Sequence, residues 1–266
     1  MRKVRIPKRN GSYRTIYVPS RAQRKALRRL LPALEAAAIK LCPAGVVHGF
    51  LHGRSPVTNA MQHVGYAVTV CFDLSSFFDT VVPEMVLPKL ADPLRMAVEQ
   101  NCFVDGAARQ GLPTSPMVSN IAASAMDWEL ENLLAKNGVA YTRYADDMTF
   151  STNSEAMVET LLKTVPAIIA KHGFTVNEAK THVQYAKEGR RNVTGVMVSD
   201  VGYYPQRKHK RRLRAALYQQ QKNHAAGLAE WCKLKTPAGY TKDIQDAIQQ
   251  ASATWNACQD VTVLFH

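Results

Sequence analysis

Three aspartates stand where the sequence predicts the ends of strands, and together they suggest a metal site. Asp146 and Asp147 are adjacent, and residues 148–150 after them read as a strand; Asp73 follows the apolar run 67–72. Carboxylates from separate strands can converge on hard cations that bind through oxygen. Two Mg²⁺ ions about 3.5–4 Å apart activate an attacking hydroxyl and stabilise a leaving pyrophosphate. The alternative is that the adjacent pair consists of solvated turn residues, since Asp is common in turns.

The elements that would position these acids mix strands and helices without regular alternation. A hairpin is predicted over residues 3–19, because apolar and charged residues alternate on both sides of Asn10-Gly11. A helix begins at Ser20, and a two-strand pattern bends around Asp146 and Asp147. Other segments are predicted as helices over 84–104, 116–136, 155–172 and from about 205 onward, and as short strands near 174–176 and 192–198. This order favours an α+β fold over a doubly wound sheet.

The charge of the chain indicates a polyanionic partner. Thirty-four Lys and Arg stand against 21 Asp and Glu, a net charge of +13. Residues 1–34 hold eleven Lys or Arg and no acid, and residues 201–229 hold seven and no acid. Two basic ends around a balanced centre are typical of a nucleic-acid channel. A solvated basic surface is the alternative.

Composition also narrows the class of protein. Hydrophobic residues make up 46% and aromatics 8%, which is a globular composition. No apolar run is long enough to predict a membrane span, and no apolar stretch follows the basic first residues, so we expect neither a membrane partner nor a secretory signal. The five cysteines form no CxxC pair, which predicts free thiols and a reducing, cytoplasmic location.

Five motifs in a fixed order resemble those of reverse transcriptases. The resemblance runs from about residue 4 to 198 and is carried by the hairpin around 6–16, by F-D-L-S-S-F-F at 72–78, Q-G-L-P-T-S-P at 110–116, Y-A-D-D at 144–147 and G-F-T-V-N-E-A-K at 173–180. Asn59-Ala60-Met61-Gln62-His63 and Val193-Thr194-Gly195 further resemble the N-A-x-x-H and V-T-G signatures of retron reverse transcriptases. Another bacterial defence or intron-type reverse transcriptase, or a catalytically inactive RNA-binding relic, are the alternatives.

The resemblance implies a right-hand polymerase fold with fingers, a palm with an antiparallel sheet, and a helical thumb. The fingers are predicted over residues 1–68, with 80–108 partly in the fingers. The palm takes 69–79 and 109–200, and the thumb takes 201–266.

The resemblance also assigns roles to residues of the site. The implied ligands of two Mg²⁺ ions are the carboxylates of Asp73, Asp146 and Asp147. The backbone carbonyl of Leu74 is a further implied ligand. Lys180 is the implied general acid toward pyrophosphate. The implied nucleotide-binding residues are Lys8, Arg14, Leu74, Phe78, Gln110 and Gly111. Phe78 would select deoxynucleotides by filling the space of a 2′-hydroxyl.

Contacts to nucleic acid are predicted near the retron signatures and in the basic segment. His63 orders the loop around Asn59 or touches RNA, and Thr194 with Gly195 shapes a turn near the primer end. Tyr203 stacks on bases or packs against the palm. Phosphate contacts are predicted for Arg207, Lys208, Lys210, Arg211, Arg212 and Arg214. The implied activity is copying of a structured non-coding RNA, which is both template and primer, into DNA from dNTPs. The branched RNA–DNA product and an effector protein in anti-phage defence are implied by the resemblance alone.

Overall fold

A computed structural model of the 266-residue chain describes residues 1–7 and 11–232. By their internal contacts these residues fall into two compact units. The first unit comprises Met1–Ser55 and Val68–Val183, and the second comprises Pro56–Ala67 and the chain from Gln184 onward. Each unit is described by itself below.

Antiparallel strands frame the first unit. Strands β1 (Arg2–Pro7) and β2 (Tyr13–Val18) form the predicted hairpin. A second sheet has the strand order β4-β5-β3-β6. Its strands are β3 (Val68–Asp73), β4 (Ala140–Tyr144), β5 (Asp147–Thr152) and β6 (His182–Tyr185). Strand β3 is a central strand, with β5 beside it on one side and β6 on the other, and it is apolar and buried along almost its whole length.

The helices of the first unit cover the sheet and bury its core. They are α1 (Arg21–Leu41), α3 (Phe77–Thr80), α4 (Leu94–Asn101), α5 (Ser115–Leu134) and α6 (Met157–Lys171). Helix α1 is amphipathic and buries Leu27, Leu34 and Ala38. Helix α5 buries residues around most of its circumference, which is expected of a central core helix.

The second unit combines a short helix, a three-stranded sheet and two helices. Its elements are α2 (Pro56–Met61), β7 (Arg191–Val193), β8 (Val196–Val198), β9 (Tyr203–Pro205), α7 (Arg207–Tyr218) and α8 (Lys222–Cys232). Ala60 of α2 packs on the buried valines of β7 and β8. Leu213 and Ala216 of α7 pack with Ala225 and Ala229 of α8 in a separate cluster.

The α+β class with antiparallel sheets is confirmed, but three predicted elements are wrong. The single strand predicted near 192–198 is instead two strands, β7 and β8, joined at Thr194 and Gly195. Residues 84–104 do not form one helix: two 3₁₀ turns, Pro83–Met85 and Leu87–Lys89, precede α4, because the prolines interrupt helical hydrogen bonding. Near 174–176 only Val176 pairs, in an isolated bridge with Leu74. Cys42, Cys71, Cys102 and Cys232 are free thiols, as predicted. The fingers, palm and thumb boundaries stay predictions, and part of the predicted thumb lies outside the described residues.

Among the helices in the described part of the chain, none has both the length and the apolar character needed to cross a bilayer.

Candidate active site

The sheet of the first unit brings the three aspartates to one place. Strands β3 and β5 run antiparallel with Asp73 directly opposite Asp147. Asp146 lies in the two-residue turn between β4 and β5, and its carbonyl accepts a hydrogen bond from the backbone N–H of Leu74 at 2.9 Å. Residues that are 74 positions apart in the sequence are therefore paired across neighbouring strands.

A buried polar network holds the turn that carries Asp146. The Arg143 guanidinium, with no exposed surface, forms an ion pair with Asp127 at 2.6 Å. Its Nη1 also donates to the carbonyl of Ala145 at 3.1 Å and to Asn120 Oδ1 at 3.0 Å. Ala145 has a φ of 59°, a left-handed conformation that costs an L residue roughly 1–2 kcal/mol. The network thus supports a strained backbone at the residue next to Asp146.

The same turn is approached closely by the loop after α1. A Cβ at Gly49 would lie 2.3 Å from the backbone nitrogen of Ala145, so only glycine fits there. The Gly49 carbonyl accepts a hydrogen bond from Asn120 Nδ2 at 3.0 Å. The sequence analysis did not identify the residues that support this turn, namely Gly49, Asn120, Asp127 and Arg143. The position of Arg143 directly before the Y-A-D-D motif was the one local feature that could have pointed to its role.

The Asp73 carboxylate is held by two side chains from the segment after α6. Lys180 Nζ donates to Asp73 Oδ1 at 2.8 Å, and Asn177 Nδ2 donates to Asp73 Oδ2 at 3.2 Å. The hydrogen bond to Asp73 raises the pKa of Lys180, so its ammonium stays protonated at neutral pH. Asn177, which the predicted site did not include, also donates its backbone N–H to the Asp73 carbonyl at 2.7 Å. A cavity of about 350 Å³ is lined by Asp73, Asp147, Lys180 and His182, among others.

Like charges and desolvation oppose ionisation of the adjacent acids. Desolvation, followed by the charges of Asp146 and Asp73, raises the pKa of Asp147 to about 6, although the residue as a whole is exposed. Desolvation and the Asp73 charge also raise the pKa of Asp146. A cation bound among these oxygens would relieve the repulsion and favour the ionised form.

The donor set suits Mg²⁺, which prefers carboxylate and carbonyl oxygens. Within residues 1–7 and 11–232, however, no three His, Cys, Asp or Glu side chains are arranged as a preformed metal cluster. The assignment of Asp73, Leu74, Asp146 and Asp147 as ligands therefore stays a prediction.

Phe78 lies on α3, one turn beyond the strand end at Asp73. Its ring is half-buried, with centroids 6.1 Å from the Phe50 ring and 5.7 Å from the Phe77 ring. Phe77 is buried and packs on Phe174, so it belongs to the core, while part of the Phe78 ring remains accessible. Phe50, with a φ of 69°, is a neighbour that the sequence analysis did not single out.

The other predicted nucleotide-binding residues lie near strand β2. Gln110 accepts a backbone hydrogen bond from Tyr17 at 2.8 Å, and a Cβ at Gly111 would lie 2.4 Å from the Tyr17 carbonyl oxygen. The close approach that Gly111 permits is thus to β2. Arg14 is exposed on β2, and its positive charge offsets part of the rise in the pKa of Asp146. Lys8 lies outside the described residues.

In the second unit, the two short retron-like signatures are in contact. Asn59 Nδ2 donates to Thr194 Oγ1 at 3.2 Å. Thr194 and Gly195 have φ values of 45° and 88° between the paired Val193 and Val196, which defines a type I′ turn. The side chains of Asn59 and His63 are fully buried. Both roles considered for His63, ordering the loop and touching RNA, stay predictions.

The predicted phosphate-binding residues all lie on α7. Arg207, Lys208, Arg211, Arg212 and Arg214 are exposed, while Lys210 is half-buried. Desolvation, with neighbouring positive charges, lowers the pKa of Lys210. Tyr203 packs against the apolar core cluster of the second unit that is formed by Ala60, Val193, Val196 and Val198.

Comparison with known proteins agrees with this geometry. The family model described as reverse transcriptase (RNA-dependent DNA polymerase) matches residues 6–223. The chain is 32% identical over 264 residues to the Retron Mx65 reverse transcriptase of Myxococcus xanthus, covering 87% of this chain and 60% of that protein. It is 34% identical to the Retron Mx162 reverse transcriptase of the same organism, covering 74% and 47%. The chain thus spans about half to three fifths of these relatives.

Solved structures show the fold. Candida albicans telomerase, in complex with a telomeric RNA fragment, superposes with a TM-score of 0.64 at 12% identity, covering 97% of this chain and 53% of that one. Apo telomerase from Candida tropicalis superposes with a TM-score of 0.63 at 14% identity, covering 98% and 57%. The right-hand polymerase fold is thereby confirmed. From the ordered motifs, the match over residues 6–223 and these relatives, we conclude that the chain belongs to the reverse transcriptase family and is of the retron type.

Proposed function

We propose that this chain is an RNA-directed DNA polymerase that extends a primer with dNTPs by nucleotidyl transfer. The observation that carries the proposal is the pairing of Asp73 with Asp147 beside the turn at Asp146. Three carboxylates at one edge of a sheet, two of them with raised pKa values, provide the charge that a divalent cation site requires.

Asp73, Asp146, Asp147 and the Leu74 carbonyl would hold two Mg²⁺ ions. When bound, these ions supply activation of the primer hydroxyl and stabilisation of the leaving pyrophosphate. Lys180 keeps a proton on Nζ, because its raised pKa favours the ammonium form, and would donate it to the departing pyrophosphate. Asn177 orients the Asp73 carboxylate from its other oxygen.

The incoming nucleotide would be bound by residues of the hairpin and of the adjacent loop. Arg14, and Lys8 beyond the described residues, would bind the triphosphate, because cationic side chains pair well with phosphate oxygens. Gln110 and Gly111 would line the base and sugar side, and the Phe78 ring would exclude a 2′-hydroxyl.

The template would be a structured non-coding RNA that also supplies the primer, giving an RNA–DNA hybrid of the msDNA type. The similarity to retron reverse transcriptases supports this substrate class. The basic α7 would grip phosphates, and the Asn59–Thr194 contact would shape the Thr194-Gly195 turn near the primer end. We further propose that the protein acts with an effector protein in anti-phage defence. Its proposed location is the cytoplasm.

Primer extension with purified protein tests the polymerase assignment. The wild type should incorporate dNTPs on an RNA template with Mg²⁺, and Asp146→Asn should reduce the rate by about 10²–10³-fold, as expected for loss of a charge that stabilises the transition state. Asp92→Asn, which removes an exposed acid paired with Arg95, is the matched control and should retain activity. Equal incorporation by the wild type and Asp146→Asn would refute the assignment. Sequencing of nucleic acid that copurifies with the protein would identify the template.

A further inference from the structure

Helix α1 carries a stripe of cations that the proposed active site does not use. All of its members are exposed, and together they border one surface concavity. The α1 stripe consists of Arg21, Arg24, Lys25, Arg28 and Arg29. Their spacing follows the i, i+3 and i+4 positions of a helix, so they share one face over about 12 Å of helix length.

This arrangement of charge is unfavourable for the helix itself. Lys25 is four residues from both Arg21 and Arg29, and Arg24 is four residues from Arg28. Like charges at this spacing destabilise a helix by about 0.2–0.5 kcal/mol per pair. The first turn holds no acid, although negative charge is favoured at a helix N-terminus. Among the described residues, no ion pair involves any member of the stripe.

The helix that bears the stripe is firmly anchored on its other side. Leu27, Leu34 and Ala38 are buried, and the helix packs against α5 and α4. Ser20 caps the N-terminus in a reciprocal capping box with Gln23. Trp128 Nε1 donates to the Leu41 carbonyl at 2.8 Å, which ties the C-terminal end to α5. The cations therefore project from a rigid base.

We propose that the α1 stripe binds the phosphate backbone of a double-helical segment of RNA. Five cations that form no ion pair within the described part of the chain, in two rows, 21-25-29 and 24-28, complement a dense and regular array of phosphates. A rigid array of cations matches a regular duplex without the entropy cost of ordering a single strand. The stripe also begins three residues after β2, the strand that contacts Gln110. It would thus hold a folded stem of RNA on the unit that contains the candidate active site. The choice of RNA as polyanion rests on the proposed function.

Salt-dependent binding of a blunt RNA hairpin, measured by fluorescence anisotropy without dNTPs, tests the proposal. Arg24→Gln/Arg28→Gln removes two charges from the stripe and keeps helix propensity, because Gln is a good helix former. The slope of log K against log salt concentration should fall in magnitude by about 1.8, the value for two lost phosphate contacts. Lys136→Gln/Lys163→Gln, which removes two exposed charges elsewhere in the first unit, should leave the slope unchanged.

The remaining arms identify the ligand and separate this proposal from the polymerase assignment. Single-stranded RNA of equal length should bind with a smaller difference between the wild type and the stripe variant. Thermal stability of the stripe variant should equal or exceed that of the wild type, because a repulsive pair is relieved. An equal change of slope in both double variants, no change in either, or a larger effect with single-stranded RNA would overturn the proposal. Primer extension on a short unstructured template reports catalysis independently, so either proposal can fail while the other stands.

Discussion

The Asp147 carboxyl lies beside two other carboxyls, and this environment sets its response to pH. Its pKa is raised to about 6 in the folded chain, against 3.8 for an ordinary Asp. The folded state therefore favours the neutral carboxyl more than the unfolded chain does. The stability that this preference contributes is fully present below pH 3.8 and is lost as the pH rises through about 6. Asp147 therefore destabilises the metal-free protein at neutral pH.

Asp147→Asn should accordingly stabilise the metal-free protein at pH 7.5. We expect a gain on the order of 1 kcal/mol, since solvent screens an exposed carboxylate, and the gain should vanish near pH 4. Urea unfolding of both proteins in EDTA across this pH range measures it. A gain that is the same at pH 4 and pH 7.5 would contradict the electrostatic origin.

The partly exposed Phe78 ring is expected to set sugar selectivity. Phe78→Ala opens space beside the strand end at Asp73, so ribonucleotides should be accepted. The preference for dNTPs over rNTPs should fall on the order of tenfold to a hundredfold, as for a lost steric contact in a substrate pocket. Single-nucleotide incorporation assays measure the ratio of kcat/KM values. Phe77→Leu, a change in the buried core, is the control and should leave the ratio intact while lowering stability.

The β4–β5 hairpin depends on the buried Arg143–Asp127 pair for the position of its turn. Replacing a buried ion pair by apolar residues often preserves stability, whereas removing one partner costs about 3–5 kcal/mol. The triple variant Arg143→Met/Asp127→Leu/Tyr141→Phe removes both charges and the Tyr141 hydroxyl that donates to Asp127. It should fold, but kcat should fall about a hundredfold, because the Ala145 carbonyl loses its donor and the turn at Asp146 shifts.

The single variant Tyr141→Phe is the control for this hairpin. It keeps the ion pair and the hydrogen bond to Ala145, so kcat should stay near that of the wild type. Steady-state primer extension together with thermal unfolding separates the two effects. A triple variant that is stable and fully active would show that the network does not position the turn.

The β7–β8 turn is held by a hydrogen bond from Asn59 to Thr194, as the β4–β5 turn is held by Arg143. Thr194 is β-branched and has a positive φ, which is an outlier conformation for such a residue. Asn59→Ala should destabilise the second unit by about 1–3 kcal/mol, because it removes a buried hydrogen bond. With Thr194→Gly already present, the loss should be smaller by about 1 kcal/mol, since glycine takes this conformation without strain.

A double-mutant cycle in urea measures this coupling between Asn59 and Thr194. Met61→Ala, at an exposed position on α2, is the control and should cost little in either background. Additive effects of Asn59→Ala and Thr194→Gly would contradict the coupling.

Folding of the first unit assembles the carboxylates, and metal binding should therefore be linked to stability. A ligand that binds only the folded state stabilises it by about 2.7 kcal/mol at a concentration of 100 Kd. Mg²⁺ should raise the melting temperature of the wild type, and EDTA should reverse the rise and abolish primer extension. Asp73→Asn/Asp146→Asn should show no rise, while Asp92→Asn should behave as the wild type does. An equal rise in melting temperature for Asp73→Asn/Asp146→Asn and for Asp92→Asn would show that Mg²⁺ stabilises the protein nonspecifically.

Residue types and local spacing are enough to predict the candidate site residues and most of the elements that hold them. Strand-end acids, the order of the motifs, the hairpin around residue 11 and the amphipathic α1 are all encoded locally, in residue type and periodicity. The interval 84–104, predicted as one helix, is broken by prolines whose positions are also local in the sequence.

The contacts between distant groups, by contrast, follow only from the folded chain. The pairing of Asp73 with Asp147, the hydrogen bonds of Asn177 and Lys180 to Asp73, the Arg143–Asp127 pair and the contact of Asn59 with Thr194 join segments 16 to 135 residues apart. Periodicity indicates that a side chain is buried but not against what, because the partner is chosen by packing and by the need to satisfy every buried polar group. Asn120 and Asp127 appear ordinary in the sequence for that reason, and acquire their roles only when the chain has folded around them.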